Sequence, residues 1–149
     1  ILDHGSCIWR LAVSFDGKFI ASAGSDNTVK IWKFPTGDLV NTFTHNQLIR
    51  CVVFSNDNQI VASGSDDGSI TVWEVATGKL INKFKVHSAP VCSVIISPDN
   101  QTIISGSNDT SIKITHISMG EMLHVIKAHT HIVQSLALST DNQMLISCS

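Results

Sequence analysis

The sequence predicts an all-β protein assembled from four-stranded antiparallel units laid side by side, and three observations carry that expectation. An apolar strand, a polar turn and an alternating strand come back in phase: residues 20–32 read IASAGSDNTVKIW, residues 61–73 VASGSDDGSITVW and residues 103–115 IISGSNDTSIKIT, while residues 144–149 (MLISCS) begin a fourth copy. This is the pattern of a β-hairpin. Markers then keep the period: His4, His45, His87 and His129 stand 41, 42 and 42 residues apart, and Asp26, Asp67 and Asp109 stand 41 and 42 apart. Finally, no segment shows the 3.6-residue periodicity of a helix.

Taken in order, each unit gives the same four strands. The first strands, residues 8–13, 49–54, 91–96 and 133–138, are almost continuously apolar, as strands covered on both faces must be, and they are expected to line a central axis. The turns after them, Ser14-Phe15-Asp16-Gly17, Ser55-Asn56-Asp57-Asn58, Ser97-Pro98-Asp99-Asn100 and Ser139-Thr140-Asp141-Asn142, hold the Asp, Asn and Gly that tight hairpins tolerate. The second and third strands form the central hairpin. The fourth strands, residues 39–43, 80–84 and 122–126, carry Asn41, Asn82, Lys83 and His124, a polarity suited to an exposed outer edge. Hydrophobicity is thus expected to fall from axis to rim, with units at about residues 4–44, 45–86, 87–128 and an incomplete 129–149.

A period of roughly 40 to 45 residues with four strands per unit and Trp32 or Trp73 closing the third strand resembles the WD-repeat family of β-propellers. The family's Gly-His opening is half kept, as Asp3-His4, Thr44-His45, Val86-His87 and Ala128-His129. Its Trp-Asp close is also partial, as Trp32-Lys33, Trp73-Glu74 and Thr115-His116. Propellers hold about four to eight blades, and 149 residues cover some three and a half. The chain is therefore expected to be part of a larger, seven-bladed ring, its missing blades supplied by a parent chain or by self-association.

Composition excludes several functions. Net charge is −2 and no basic stripe is present to neutralise phosphates, so nucleic-acid binding is not expected. No apolar run approaches the ~20 residues of a membrane span. Cys7, Cys51, Cys92 and Cys148 include no CxxC; as free thiols, three of them in apolar strands, they fit a reducing cytoplasmic or nuclear setting. Asn100-Gln101-Thr102 and Asn108-Asp109-Thr110 match the glycosylation pattern, which is too short to carry weight. No metal or cofactor is expected: His129 of His129-Thr130-His131 is already explained by the repeat.

His, Ser and Asp in every full unit could suggest a hydrolase, but a catalytic site is needed once and this set repeats with the blade, without a GxSxG elbow. The resemblance implies a structural network instead, running from the Trp N–H through Ser and His to a turn Asp: His4, Ser22, Asp26 and Trp32; His45, Ser63, Asp67 and Trp73; His87, Ser105 and Asp109, with Thr115 where Trp is expected. Blade three is accordingly expected to be incomplete in its network.

Function then belongs to the surface. Trp9, Arg50, Cys92 and Gln134 occupy one repeat position just inside the first strands, and Ser25, Asp66 and Asn108 precede the turn aspartates. Nothing in a core requires such diversity. The resemblance implies that both sets ring the channel mouth and bind peptides or protein domains, and Trp and Arg are enriched in binding hot spots. Lys18, Lys30, Lys33, Lys79 and Lys113 read as solvated edges. The function expected is a non-enzymatic interaction scaffold; the alternatives are a propeller module serving a catalytic or signalling domain elsewhere, or a half-propeller completed by oligomerisation.

Overall fold

A computed structural model describes residues 3–127, 129–139 and 141–149. Ala128 of the fourth histidine link and Thr140 of the fourth turn lie outside the described residues. The first sheet contains β1 (Ile8–Val13), β2 (Phe19–Gly24), β3 (Thr28–Lys33) and β4 (Leu39–Thr44). The second contains β5 (Ile49–Phe54), β6 (Ile60–Ser65), β7 (Ser69–Glu74) and β8 (Leu80–Lys85), and the third β9 (Val91–Ile96), β10 (Thr102–Ser107), β11 (Ile112–His116) and β12 (Met122–Ile126). A fourth holds β13 (Ser135–Leu138) and β14 (Leu145–Cys148). All neighbours in each sheet are antiparallel and consecutive. The fold is three four-stranded propeller blades and half of another, without a helix among the described residues.

The turn between the first two strands of every blade is built by its own side chains. Ser14 donates to Asp16 Oδ1 at 2.8 Å and accepts from the Phe19 N–H at 2.8 Å, and Asp16 Oδ1 also accepts from the Lys18 N–H at 3.0 Å. Ser55 with Asp57, Ser97 with Asp99 and Ser139 with Asp141 repeat the device. The next residue is left-handed each time: Gly17 at φ 69°, Asn58 at 61°, Asn100 at 57° and Asn142 at 57°. Gly and Asn are the residues that accept this conformation.

The core lies between blades. Ala21, Val29 and Ile31 of the first sheet pack with Ile49, Phe54 and Val61 of the second. Ala62, Ile70 and Val72 of the second pack with Val91, Val94 and Ile103 of the third, and Ile104 and Ile112 of the third with Val133 and Leu136. A single blade cannot bury its own faces, so each borrows its core from the next.

This arrangement corrects the expected decline from axis to rim. Burial peaks in the second and third strands, with five of six residues buried in both β6 and β7, because these have a paired strand on either edge as well as a blade on either face. The first strand β1 is almost wholly exposed, since no blade packs on its outer face. The expected strand at residues 133–138 begins later, at Ser135. Asn41 and Asn82 are also not edge polarity: Asn41 Nδ2 donates to Val75 O at 2.8 Å, and Asn82 Nδ2 to Ile117 O at 2.9 Å and Ser118 O at 3.1 Å. They tie each outer strand to the following blade.

Candidate functional site

Three of the four diverse positions of the first strands, Trp9, Arg50 and Cys92, sit at β-bulges. In the pairing of β1 with β2 the register jumps from Ile8↔Gly24 to Arg10↔Ala23, leaving Trp9 without a ladder partner. Arg50 is skipped in the same way between Ile49↔Ser65 and Cys51↔Gly64, and Cys92 between Ser107↔Val91 and Gly106↔Ser93. A bulge bends its strand and re-aims the extra side chain. Here it sets Arg50 beside Asp66 and Cys92 beside Asn108, the residues that precede the turn aspartates.

Arg50, Cys92, Asn108 and Gln134 come together around one cavity of about 260 Å3, with Arg10 and Ile132 completing its wall. Arg50 Nε donates to Asp66 Oδ1 at 2.5 Å and its Nη2 to Asp66 Oδ2 at 3.3 Å, and this pairing raises the guanidinium pKa further. The Cys92 thiol donates to Asn108 Oδ1 at 2.8 Å; burial pushes that thiol up, against the opposing pull of Arg50. Trp9 sits apart, 55 % exposed, in a neighbouring hollow with Ile8, Arg10 and Leu11. Ser25 is exposed and does not line the cavity. Arg10 and Ile132 were not among the sequence candidates, although Arg10 is the one charged residue of an otherwise apolar strand.

The internal network takes three forms. In blade one it is complete: Trp32 Nε1 donates to Ser22 Oγ at 2.7 Å, Ser22 meets His4 Nδ1 at 2.6 Å, and His4 Nε2 reaches Asp26 Oδ1 at 3.3 Å. The Asp26 carboxylate can only accept, so the neutral His4 ring carries its proton on Nε2 and its Nδ1 accepts from the Ser22 hydroxyl. In blade three His87 is turned the other way, with Nε2 2.8 Å from Ser105 and Nδ1 2.9 Å from Asp109. Thr115 stands in the Trp position, buried, its Oγ1 without a hydrogen-bond partner among the described residues.

Blade two departs from expectation. Ser63 lies 2.9 Å from His45 Nε2, but neither His45 to Asp67 nor Trp73 to Ser63 is bonded among the described residues. Asp67 Oδ1 instead accepts from the Ser65 and Ser69 hydroxyls, each at 2.5 Å, and from the Ser69 N–H at 2.9 Å. Burial pushes that carboxyl up, yet these donors outweigh it and hold it at about 2. Trp73 stacks on Phe43 of the preceding blade, centroids 4.6 Å apart, and meets the edge of His45 at 4.9 Å. Burial, assisted by the Lys83 charge, lowers His45 to about 4.

Two lysines also need correcting. Lys30 Nζ donates to His4 O at 2.5 Å and Lys113 Nζ to Val86 O at 2.7 Å, both half-buried rather than solvated. Their counterpart in blade two is Thr71, whose buried Oγ1 has no partner among the described residues. Of the thiols, Cys51 is buried and pushed up to about 12 by desolvation, whereas Cys7 and Cys148 are exposed. Among the described residues no group of three or more His, Cys, Asp or Glu could hold a metal ion.

The repeats match the family described as WD domain, G-beta repeat, over residues 1–33, 37–74, 78–116 and 120–149. The chain belongs to the WD40 family. Relatives of its WD40 repeats include eukaryotic translation initiation factor 3 subunit I of Phaeosphaeria nodorum, 35 % identical over 52 residues, and the ribosome biogenesis protein BOP1 homolog of Drosophila virilis, 35 % identical over 51. These segments are 35 % and 34 % of this chain but only 16 % and 6 % of the two relatives. Among solved structures, U3-55K is similar with a TM-score of 0.84 at 23 % identity, over 90 % of this chain and 43 % of that one, which shows the fold alone. The computationally designed Ika4 protein is similar at 0.86 and 28 % identity, over 99 % of this chain and 88 % of the other.

Proposed function

We propose that this WD40 chain is a non-enzymatic protein-interaction scaffold whose partner face is the channel mouth carrying Trp9, Arg50, Cys92, Gln134, Ser25, Asp66 and Asn108. One observation supports the reading: bulges in two successive blades turn the unlike side chains of Arg50 and Cys92 into a single cavity, where Asn108 and Gln134 join them. A packing role would favour similar residues at equivalent positions; a binding surface uses unlike ones. The names of the relatives, one a subunit of an initiation factor and the other a ribosome biogenesis protein, suit membership of a larger intracellular assembly, as do four free thiols. The test is a photo-crosslinking residue placed at position 9, 50 or 134 and, as controls, at the rim positions 79 and 85. Adducts to a defined protein from the mouth alone are expected; adducts equal at mouth and rim would overturn the reading.

A second reading concerns the ends of the arc. Ile8, Leu11, Val13 and Phe15 at one end are 42–82 % exposed, and Met144 and Ile146 at the other are 60 % and 58 %. Contiguous apolar surface of this kind is normally covered, so we infer that further blades, of the same or another chain, pack there. A chain that stays monomeric in light scattering and binds no hydrophobic dye would exclude it.

A further inference from the structure

We propose that the mouth cavity recognises a carboxylate side chain of a linear peptide, with Arg10 as the residue that binds it. The proposal rests on the scaffold reading above and names the chemistry of its ligand. Two guanidinium groups, Arg10 and Arg50, face the cavity. Arg50 is already occupied, since both oxygens of Asp66 accept from it. Arg10 is not: its hydrogen bond among the described residues is Nη1 to the neighbouring Trp9 O at 2.9 Å, and no acidic group pairs with it there. A guanidinium presents five donors in a planar fork that matches a carboxylate, so most of the donors of Arg10 are available.

The remaining wall selects for peptide. Gln134 and Asn108 offer amides that pair with backbone N–H and C=O groups, and Ile132 offers one apolar contact. About 260 Å3 admits one side chain with its flanking backbone rather than a folded domain. Charge chooses the anion. With Arg50 offset by Asp66 the mouth retains one positive charge, which a carboxylate neutralises; a phosphate would bring nearly two negative charges toward Asp66. Nucleic acid is disfavoured by the same count and by a net charge of −2.

The experiment follows the Arg10 side-chain Nε–H and the Gln134 amide by NMR in the 149-residue chain during titration with a capped alanine pentapeptide bearing a central glutamate. The same peptide with glutamine or phosphoserine at the centre is titrated in parallel. Saturable shifts with glutamate, none with glutamine, and a loss of about tenfold in affinity in Arg10→Gln, only partly restored in Arg10→Lys because lysine keeps the charge and lacks the fork, support the proposal. Arg10 is exposed, so its replacement leaves the fold intact. Equal binding of the glutamine peptide, unchanged affinity in Arg10→Gln, or no binding of any peptide would overturn it, and tighter binding of the phosphoserine peptide would replace carboxylate by phosphate. If the crosslinks at the mouth persist while Arg10→Gln changes nothing, only the carboxylate inference fails; if they are absent, the scaffold reading fails with it.

Discussion

His4, His45 and His87 occupy one repeat position and play three parts, so residue identity alone does not decide the role. What differs is the surroundings: His45 faces Trp73 and the Lys83 charge, while the ring of His87 is held between Ser105 and Asp109. A buried neutral histidine has a consequence for stability. The unfolded chain protonates near 6.5 and native His45 only near 4, so the unfolded state binds more protons between those values and stability falls as pH drops through that window. The loss approaches roughly 3 kcal/mol at about 1.4 kcal/mol per unit. His45→Gln should flatten the dependence of the urea midpoint on pH between 6.5 and 4, leaving the slope that His87 contributes, also lowered by burial. Below 3.8 the carboxyls of Asp67 and Asp109, held at about 2, take over and stability falls again. Thr115 makes a second case. Its buried hydroxyl has no partner among the described residues, so Thr115→Val keeps the shape, removes a desolvation penalty and should raise stability by about 1 kcal/mol in denaturant titration.

Strands in this fold are specified as much by their contact with the next blade as by their own pattern. A Cβ on Gly64 would lie 2.6 Å from Val91 Cγ1 and 2.7 Å from Cys51 Sγ, and one on Gly106 would lie 2.6 Å from Val133 Cγ1. The seam closes over bare backbone at these points, whereas the first blade has the buried Ala23 in the same repeat position. Gly64→Ala is expected to cost about 1–3 kcal/mol through overpacking, measured by thermal or chemical unfolding; an unchanged midpoint would show that the seam can shift. Asn82 works at the outer end of the same seam. Asn82→Ala, by leaving Ile117 O and Ser118 O without that donor, should cost about 1–2 kcal/mol and speed amide exchange in the strands on both sides.

The molecule as a whole is an arc whose inner seams are packed and whose outer faces are not. Leu11 and Val13, 61 % and 63 % exposed, stand where β5 and β9 of the later blades meet a neighbour. Replacing them together as Leu11→Gln and Val13→Thr should reduce concentration-dependent association in sedimentation while moving the unfolding midpoint by less than about 0.5 kcal/mol, the range of ordinary surface changes. Undiminished association would move the sticky surface to the other end, around Met144 and Ile146.

The repeat was legible without coordinates because strand alternation, turn residues and period are local properties of the chain: the bounds of β1, β5, β9 and β12 follow the apolar runs, and Asn58, Asn100 and Asn142 lie in the tight turns that their residue type suits. The members of the His-Ser-Asp network were legible for the same reason. Their connections were not, because whether His45 meets Asp67 depends on Ser65, Ser69 and a Phe43 from another blade. Of the positions singled out by their diversity, Arg50, Cys92, Asn108 and Gln134 line one cavity, but the inclusion of Arg10 and the displacement of Trp9 required the coordinates. The inter-blade role of Asn41 and Asn82 was hidden as well, since an asparagine in an outer strand reads the same whether it faces water or a carbonyl of the next blade. Local backbone chemistry writes the blade into the sequence, and packing between blades, which joins residues some forty positions apart, settles what each side chain touches.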